Sequence, residues 1–202
     1  MTTSKPATAR GRATRQALLD AAESVFGETR FDVASITEIT RRANVSQGTF
    51  YVYFDSKKAI FLELVRHLGT LARASLRRST EGATTRLDRE ELGLRAFLSF
   101  VSEHRNLYRI VRQAEFIDEE AYRDYYRKFA QGYVAGLRGA VDKGEVAPVD
   151  VEALAYALMG ISDFIGMRWV LWANEESGAE VPEATIEAVL HLLRNGLPPE
   201  KT

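Results

Sequence analysis

Residues 35–58, SITEITRRANVSQGTFYVYFDSKK, constrain the fold of this chain more than any other segment. Ser35 and Glu38 form a capping box, which predicts a short helix that begins directly after the serine. Ser46 predicts the cap of a second helix soon after the first one ends. Asn44 lies between them and can adopt the left-handed conformation that a tight turn needs, although less easily than glycine. Two short helices joined by such a turn indicate a helix-turn-helix.

The second helix of this pair has an apolar side, where Phe50 and Phe54 fall and where we expect the core. The residues that lie elsewhere on it carry hydroxyl or amide groups: Gln47, Thr49, Tyr51 and Tyr53. In the major groove of DNA, glutamine can pair with adenine, and threonine can bond a base or touch a thymine methyl. Gly48 lets the backbone approach closely, and the tyrosine hydroxyls and Lys57 suit phosphate oxygens. These residues are typical of a recognition helix.

The run over residues 43–57, ANVSQGTFYVYFDSK, resembles the signature of the TetR family of transcriptional regulators, and the resemblance extends over residues 14–66. It implies an all-α protein with an N-terminal three-helix helix-turn-helix domain, followed by a larger helical ligand-binding and dimerisation domain. The family usually has glycine where this chain has Asn44 and alanine where it has Thr40. Both differences fall at a tight packing point, so they bear on the geometry of the turn more than on function.

The resemblance also assigns DNA contacts to individual residues. It implies base-edge contacts from Gln47, Gly48 and Thr49. It implies phosphate contacts from Thr37, Tyr51, Tyr53 and Lys57. The implied partner is double-stranded operator DNA, and a two-fold homodimer requires that this operator be palindromic.

Helical periodicity continues along the chain, with few prolines and no alternating, β-rich run. Polar runs predict loops over 79–88 and 174–181. The remaining helices are predicted over about 56–79, 89–103, 106–116, 118–142 and 151–173, with a last one between Pro182 and Gly196. The expected organisation is a basic flexible arm over 1–13, a helix-turn-helix DNA-binding domain over 14–58, and a helical regulatory and dimerisation domain over 59–202.

Charge is unevenly distributed along the chain, although the net charge is only −1. Residues 1–66 hold ten Lys or Arg against seven Asp or Glu, whereas residues 67–202 hold seventeen against twenty-one. The first fifteen residues contain Lys5, Arg10, Arg12 and Arg15 and no acidic residue. This asymmetry fits a polyanion contacted at one end of the chain, and it fits a solubilising tail equally well.

Aromatic residues are dense in the C-terminal two thirds, most of all in the run over 122–129, YRDYYRKF. Together with the implied family fold, they predict an apolar cavity with a few hydroxyls, as ligand sites have. The predicted lining residues are Phe97, Phe100, Tyr108, Phe116, Tyr122, Tyr126, Phe129 and Tyr133. Arg109, Arg112 and Arg123 would suit a small apolar or amphipathic anion, such as a fatty-acyl effector. A packed helical core is the alternative for the same residues.

Two segments near the C terminus predict self-association. Ala153, Ala157 and Gly160 share one face of the helix predicted over 151–173, and small residues let another helix approach closely. The last helix carries an apolar stripe of Ile186, Val189, Leu190 and Leu193. In the TetR family the last two long helices pack against those of a second subunit, which assigns both sets to a homodimer interface. Packing within one subunit is the alternative.

The sequence does not favour an enzyme or a membrane protein. It contains no cysteine, its three histidines lack partners at metal-ligand spacing, and the motifs HExxH, G-x-S-x-G, P-loop and G-x-G-x-x-G are absent. We therefore assign no catalytic residue, metal or cofactor. Glu152, Asp163 and Arg168 interrupt the longest apolar run, which predicts a buried helix in a cytoplasmic protein. A helical enzyme, a small-molecule carrier and a protein that binds DNA without sequence preference are the alternatives.

Overall fold

The computed structural model of the chain describes residues 8–172 and 181–196, apart from the side chain of Leu107. Every regular element in these ranges is helical, which confirms the predicted all-α class. The helices are α1 Ala9–Glu28, α2 Ile36–Arg42, α3 Gln47–Tyr53, α4 Lys57–Ser79, α5 Arg86–Glu103, α6 Asn106–Ile117, α7 Glu119–Asp142, α8 Val151–Gly166 and α9 Glu183–Asn195. A short π-helical turn, Met167–Leu171, continues α8. The loop predicted over 174–181 lies outside the described residues except for its last residue.

The described residues form two compact units. The first contains residues up to 69 together with 106–125, and the second contains 70–105 together with the residues from 126 onwards. The division predicted after residue 58 differs from these units, because α6 packs on α1 and so belongs to the first unit. Sequence order alone does not indicate this contact.

An aromatic core holds the first unit together. Phe26, Phe50 and Phe61 are fully buried, and the rings of Phe26 and Phe61 meet edge to face with centroids 5.1 Å apart. Gln113 of α6 bonds the backbone at the end of α1. Its Nε2 donates to the carbonyl of Phe26 at 3.0 Å, and its Oε1 accepts from the N–H of Phe31 at 2.7 Å. Because this amide satisfies backbone groups that the helix leaves unpaired, it fixes α6 against α1.

The local signals around the helix-turn-helix form largely as predicted. Ser35 and Ser46 cap α2 and α3, each accepting from a first-turn amide at 3.1 Å. Asn44 has a φ of 52°, which is the left-handed conformation predicted for the turn. The carboxylate of Glu38 does not return to the cap as predicted but accepts from the Arg42 side chain at 2.7 Å. The charge-assisted hydrogen bond to the arginine is stronger than a bond to the neutral backbone N–H of the cap.

Helix α1 begins earlier than predicted, so residues 9–13 are helical and do not form a flexible arm. Thr8 caps the helix by accepting from the amide of Gly11 at 3.1 Å. The apolar periodicity of this segment begins only at Leu18. Periodicity therefore predicted the start too late, because it detects the packed face of a helix and not an unpacked first turn. Residues 1–7 of the predicted arm lie outside the described residues.

The second unit has two apolar clusters. Helices α5 and α9 meet through Leu94, Leu98, Ile186, Val189 and Leu190. Helices α7 and α8 meet through Leu137, Ala155 and Leu158. Leu193 of α9 packs against both clusters, so α9 is part of the internal core of this unit.

Candidate DNA-binding surface and effector cavity

Helices α2 and α3 carry the residues predicted to contact DNA, apart from Lys57 at the start of α4. Phe50 is fully buried and Phe54 is 2% exposed, so α3 is anchored by the side predicted for the core. On its other side Tyr51 is 55% exposed, and Tyr53 is half-buried. The residues of the first turn reach solvent: Gln47 and Gly48 are exposed, and Thr49 is half-buried. Helix α3 therefore presents its first turn and a tyrosine to solvent.

Side-chain hydrogen bonds join the polar groups of α2 and α3. Gln47 Nε2 donates to Thr37 Oγ1 at 2.7 Å, and the hydroxyls of Ser46 and Thr49 lie 2.9 Å apart. The sequence assigned Gln47 to a base and Thr37 to a phosphate, and the structure brings these two side chains into direct contact. The amide of Gln47 is thus held in one orientation by Thr37.

Lys57 has a role that the sequence did not predict. Its ammonium donates to the carbonyls of Phe31 at 2.6 Å and Ala34 at 2.7 Å, and it lies 3.3 Å from that of Asp32. The same nitrogen lies 4.6 Å from the centroid of the Phe31 ring. These carbonyls belong to the segment between α1 and α2, so Lys57 ties that segment to α4. The predicted phosphate contact would require the ammonium to share or leave these partners.

A network of charges fixes α2 against α1. Arg42 donates to Glu28 through both terminal nitrogens at 2.7 Å and to Glu38 through Nε at 2.7 Å. Hydrogen bonds from Arg42 and Ser24 lower the pKa of Glu28 to about 2. Those from Arg41 and Arg42 lower the pKa of Glu38 to about 2. Both carboxylates are therefore ionised near neutral pH.

A cavity of about 420 Å³ lies in the second unit between α4, α5 and α7. Of the eight aromatic residues predicted to line a ligand site, Phe129 and Tyr133 lie on its wall. Its other charged or apolar lining residues include Arg73, Leu76, Arg77, Arg86, Arg89, Glu90 and Lys128. The cavity is therefore more strongly charged than the predicted aromatic pocket.

The other six predicted aromatic residues do not line this cavity. Phe97 packs against the α5–α9 cluster, and Phe100 and Tyr108 are buried, each 5% exposed. Tyr122 and Tyr126 are half-buried. Phe116 is 88% exposed on α6, so its predicted place in a cavity is corrected to the surface. Aromatic composition does not distinguish these three environments, because it does not tell which way a helix faces.

The arginines that the sequence associated with an anionic effector have protein partners elsewhere. Arg109 Nη1 donates to the carbonyl of Gly27 at 3.1 Å. Arg123 pairs with Glu119 at 2.5 Å, one turn away on the same helix. The cations of the cavity are different residues, from α4, α5 and the middle of α7.

The two predicted dimer segments differ in exposure. On α8, Ala153 and Ala157 are exposed, and a Cβ added at Gly160 would meet no atom within 4 Å. Tyr156 and Phe164, also on α8, are 46% and 64% exposed. The α9 assignment is corrected: Ile186, Val189 and Leu190 are buried against α5, and Leu193 packs beside them. An apolar stripe signals burial, and here the burying partner is the chain itself.

The run Val151–Leu171 is long and apolar enough, by length and composition, to cross a membrane, with a mean hydropathy of 1.3. One side of it packs into the second unit, where Ala155 and Val170 are fully buried. Glu152 and Arg168 are exposed along the same run. The predicted buried helix is therefore buried on one face only.

Comparison with known proteins places the helix-turn-helix in a family. Residues 18–64 match the family described as bacterial regulatory proteins, tetR family. The HTH-type transcriptional regulator YdgC of Bacillus subtilis is 28% identical over 200 residues, which cover 95% of this chain and 96% of that protein. The helix-turn-helix of this chain is therefore that of the TetR family of transcriptional regulators, as the sequence predicted.

Two further similarities involve a regulator sequence and a solved structure from Bacillus subtilis. The fatty acid metabolism regulator protein of Bacillus subtilis is 26% identical over 187 residues, which cover 89% of this chain and 93% of that protein. A solved structure of the transcriptional regulator FadR from Bacillus subtilis, in complex with stearoyl-CoA, aligns with a TM-score of 0.78 at 21% identity. This alignment covers 91% of this chain and 99% of that one, and it shows a shared fold.

Sequence reasoning missed Arg86 and Glu90, although a signal for them was present. Thr85 Oγ1 accepts from the amide of Asp88, and Asp88 Oδ2 accepts from the amide of Thr85, both at 3.1 Å. This capping box starts α5 at Arg86, three residues before the predicted start. With that start, Arg86 and Glu90 stand four residues apart on one helical face, where opposite charges pair.

Proposed function

We propose that this regulator is a repressor that binds a palindromic operator as a homodimer and is released by a small apolar or amphipathic effector. The observation that carries the proposal is the exposed first turn of α3, where Gln47 is oriented by Thr37 and the helix is anchored by buried Phe50. In a helix-turn-helix this turn is the part that reaches base edges in the major groove.

Individual DNA contacts follow from this placement. Gln47, Gly48 and Thr49 read bases, while Thr37, Tyr51 and Tyr53 bond phosphates and set the register. The sequence assigned Lys57 to a phosphate, but its three carbonyl neighbours favour a different task. We infer that Lys57 supports the DNA contact indirectly, by ordering the segment between α1 and α2.

The exposed face of α8 supports a homodimer. Ala153, Ala157 and Gly160 allow close approach, and Tyr156 and Phe164 supply exposed apolar surface beside them. Exposed apolar residues grouped in this way mark interaction sites more often than isolated ones do. The dimer proposed here uses α8 and the exposed side of α9, because the apolar stripe of α9 is already covered.

Similarity to a fatty acid metabolism regulator and to a solved structure of FadR in complex with stearoyl-CoA supports a fatty-acyl effector. The cavity of the second unit offers a place for it, with apolar Leu76 and Phe129 beside several cations. An effector changes DNA affinity only if it binds one arrangement of the dimer more tightly than another. We propose that the protein acts in the cytoplasm and is not an enzyme, since release of DNA by an effector requires no catalytic residue.

The decisive experiment selects bound fragments from genomic DNA and then measures affinity for the selected site. Gln47→Ala should cost about 1–3 kcal/mol at one base pair and relax the choice of base there. Val52→Ala, an exposed position on the same helix, is the matched control and should leave the preference unchanged. If no sequence is enriched, or if Gln47→Ala leaves both preference and affinity unchanged, α3 does not read the operator.

A second experiment tests assembly and release. Gly160→Leu should separate the two subunits, which light scattering would detect, and should lower operator affinity without altering α2 or α3. A monomeric wild-type protein at micromolar concentration would contradict the dimer. For release, effector and operator must weaken each other's binding by the same factor, typically about 5–150-fold. A ligand that saturates the cavity without changing operator affinity would remove the regulatory half of the proposal.

A further inference from the structure

The cavity in the second unit carries a large excess of positive charge. Five of its lining residues are cations, namely Arg73, Arg77, Arg86, Arg89 and Lys128, and Glu90 is its one acidic lining residue. Leu76 and Phe129 supply apolar wall, and the guanidinium of Arg73 lies 5.3 Å from the centre of the Phe129 ring. A concave site lined by charges of one sign attracts ligands of the opposite sign.

Arg86 is a largely buried cation of this cavity. Its side chain is 9% exposed, and its Nη2 pairs with Glu90, whose side chain is 10% exposed. The Tyr133 hydroxyl donates to the second oxygen of Glu90 at 3.2 Å. Burial raises the pKa of Tyr133, so this hydroxyl keeps its proton and remains a donor. Glu90 is therefore shared between two donors, with one oxygen accepting from Arg86 and the other from Tyr133.

One nitrogen of Arg86 has no protein partner. Its Nε is buried, and no hydrogen-bond acceptor lies within reach of it among the described residues. A buried donor without a partner costs about 1–3 kcal/mol in general, and such groups in native proteins call for a reason. Because Arg86 also lines the cavity, an anionic ligand there would supply an acceptor to its guanidinium.

The fold holds Arg86 in this position from two sides. The Thr85–Asp88 capping box fixes the first turn of α5, and the backbone N–H of Arg86 donates to Glu145 at 2.6 Å. On the facing helix, a Cβ added at Gly136 would lie 2.9 Å from Arg86 Nη1. The guanidinium therefore occupies room that any larger residue at position 136 would take.

We propose that this cavity binds an amphiphilic anion whose carboxylate or phosphate oxygens bond the guanidinium of Arg86 beside Glu90. Arg89 and Lys128 add to the positive potential around the anionic group, and its apolar part lies on Leu76 and Phe129. Identifying this anion as the effector rests on the proposed function. Binding itself requires neither DNA nor a dimer, so its failure is separable from failure of the proposed function.

The first test measures binding of four probes to the DNA-free full-length protein by calorimetry: laurate, dodecanol, coenzyme A and lauroyl-CoA. Laurate, lauroyl-CoA or both should bind at least tenfold more tightly than dodecanol, which has the same chain without the charge. Tighter binding of laurate assigns the anionic group to a carboxylate, and tighter binding of lauroyl-CoA assigns it to phosphate. The proposal is overturned if dodecanol binds as well as the anions, if coenzyme A alone equals lauroyl-CoA, or if neither chain-bearing anion binds.

The second test removes the proposed anion receptor. Arg86→Met alone would leave Glu90 buried without its cation, so the double variant Arg86→Met/Glu90→Leu keeps the site neutral and apolar. It should lose at least tenfold in affinity for the anionic probe. Arg138→Met removes an exposed cation of α7 that does not line the cavity and should bind like wild type. Equal affinity of the double variant and wild type would overturn the proposal.

A third variant keeps the proposal testable if the double variant does not fold. Gly136→Ala displaces Arg86 by steric contact alone, while alanine is the better helix former. Affinity for the anionic probe should fall at least threefold without loss of thermal stability in the ligand-free protein. Gly139→Ala is the control, because its added Cβ would meet no atom within 4 Å. Unchanged affinity in Gly136→Ala would also count against the assignment of Arg86.

Discussion

In the first unit, the polar groups of α2 and α3 bond mainly to near neighbours in sequence, whereas the cavity of the second unit joins residues from three helices. Ser35, Asn44 and Ser46 each act within a few residues of their own position. Arg86 and Tyr133 come from helices far apart in sequence; both bond Glu90, and the Arg86 guanidinium lies 5.6 Å from the centre of the Tyr133 ring. A surface built from local motifs keeps its geometry when the packing of distant helices changes, whereas the shape of a cavity between helices depends on that packing.

Helices α8 and α9 repeat this contrast within one unit. Both carry apolar residues at helical spacing, and both were assigned to a dimer interface. Leu190 of α9 is 7% exposed against α5, while Phe164 of α8 is 64% exposed. Apolar residues at helical spacing thus indicate that one face of a helix packs against another surface. Only the tertiary structure tells whether that surface belongs to the same chain.

The largest expected effect tests the contrast between α8 and α9. Leu190→Ala should lower the free energy of unfolding by about 2–5 kcal/mol, because it leaves a cavity in the α5–α9 core. Phe164→Ala should change the unfolding of the isolated subunit by less than about 0.5 kcal/mol and should weaken association instead. Urea unfolding and sedimentation across a range of protein concentrations measure both quantities. Similar losses of stability in the two variants would contradict the proposed difference, in which α9 packs within the chain and α8 packs against a second subunit.

The next effect concerns Lys57 and separates a structural role from a DNA contact. Lys57→Met should lower the free energy of unfolding of the DNA-free protein by about 1.5–3 kcal/mol, the range for hydrogen bonds to charged groups. The matched control is Lys58→Met, which removes an exposed ion pair with Asp118 and should cost at most about 1 kcal/mol. Thermal or urea unfolding without DNA gives the answer. If the Lys57 variant is as stable as wild type, the structural role is wrong and the direct phosphate contact predicted from the sequence is favoured.

A smaller effect tests whether α2 orients the recognition residue of α3. Thr37→Val removes the acceptor for Gln47 Nε2, so discrimination at the base read by Gln47 should fall by about 0.5–1.5 kcal/mol. Tyr51→Phe should instead weaken binding to all sequences alike, because phosphates carry no sequence information. Affinities for the operator and for single-base variants measure this difference. If Thr37→Val weakens all sites equally, Thr37 contributes only to the backbone contact.

The smallest effect is the pH dependence of the contact between α1 and α2. The pKa values of Glu28 and Glu38 are lowered from 4.5 to about 2, so their stabilising contribution is complete above pH 4.5 and is lost as the pH falls towards 2. Arg42→Met removes the cation that both share. The stability difference between this variant and wild type should therefore shrink from about pH 5 to about pH 2.5. A difference that stays constant across this range would contradict the pairing.

Of the aromatic residues predicted to line a ligand site, Phe129 and Tyr133 lie on the wall of a cavity, whereas Phe116 lies on the surface. All three are aromatic residues on helices, so composition could not separate them. Whether each side chain is buried, exposed or at a cavity wall depends on which face of its helix packs against a neighbouring helix. Arg86 and Glu90 were open to prediction from the Thr85–Asp88 capping box, because that box fixes the start and therefore the phase of α5.

The sequence by itself determined the helix-turn-helix, since its caps, its left-handed turn at Asn44 and the buried side of α3 depend on interactions between near neighbours. It also determined the all-α class, through the spacing of apolar residues. Tertiary structure alone decided that α6 packs on α1, that α9 packs into the core of its own chain, and that Arg86 faces a charged cavity. These outcomes depend on contacts between distant segments, and periodicity carries no information about which distant face will supply the contact.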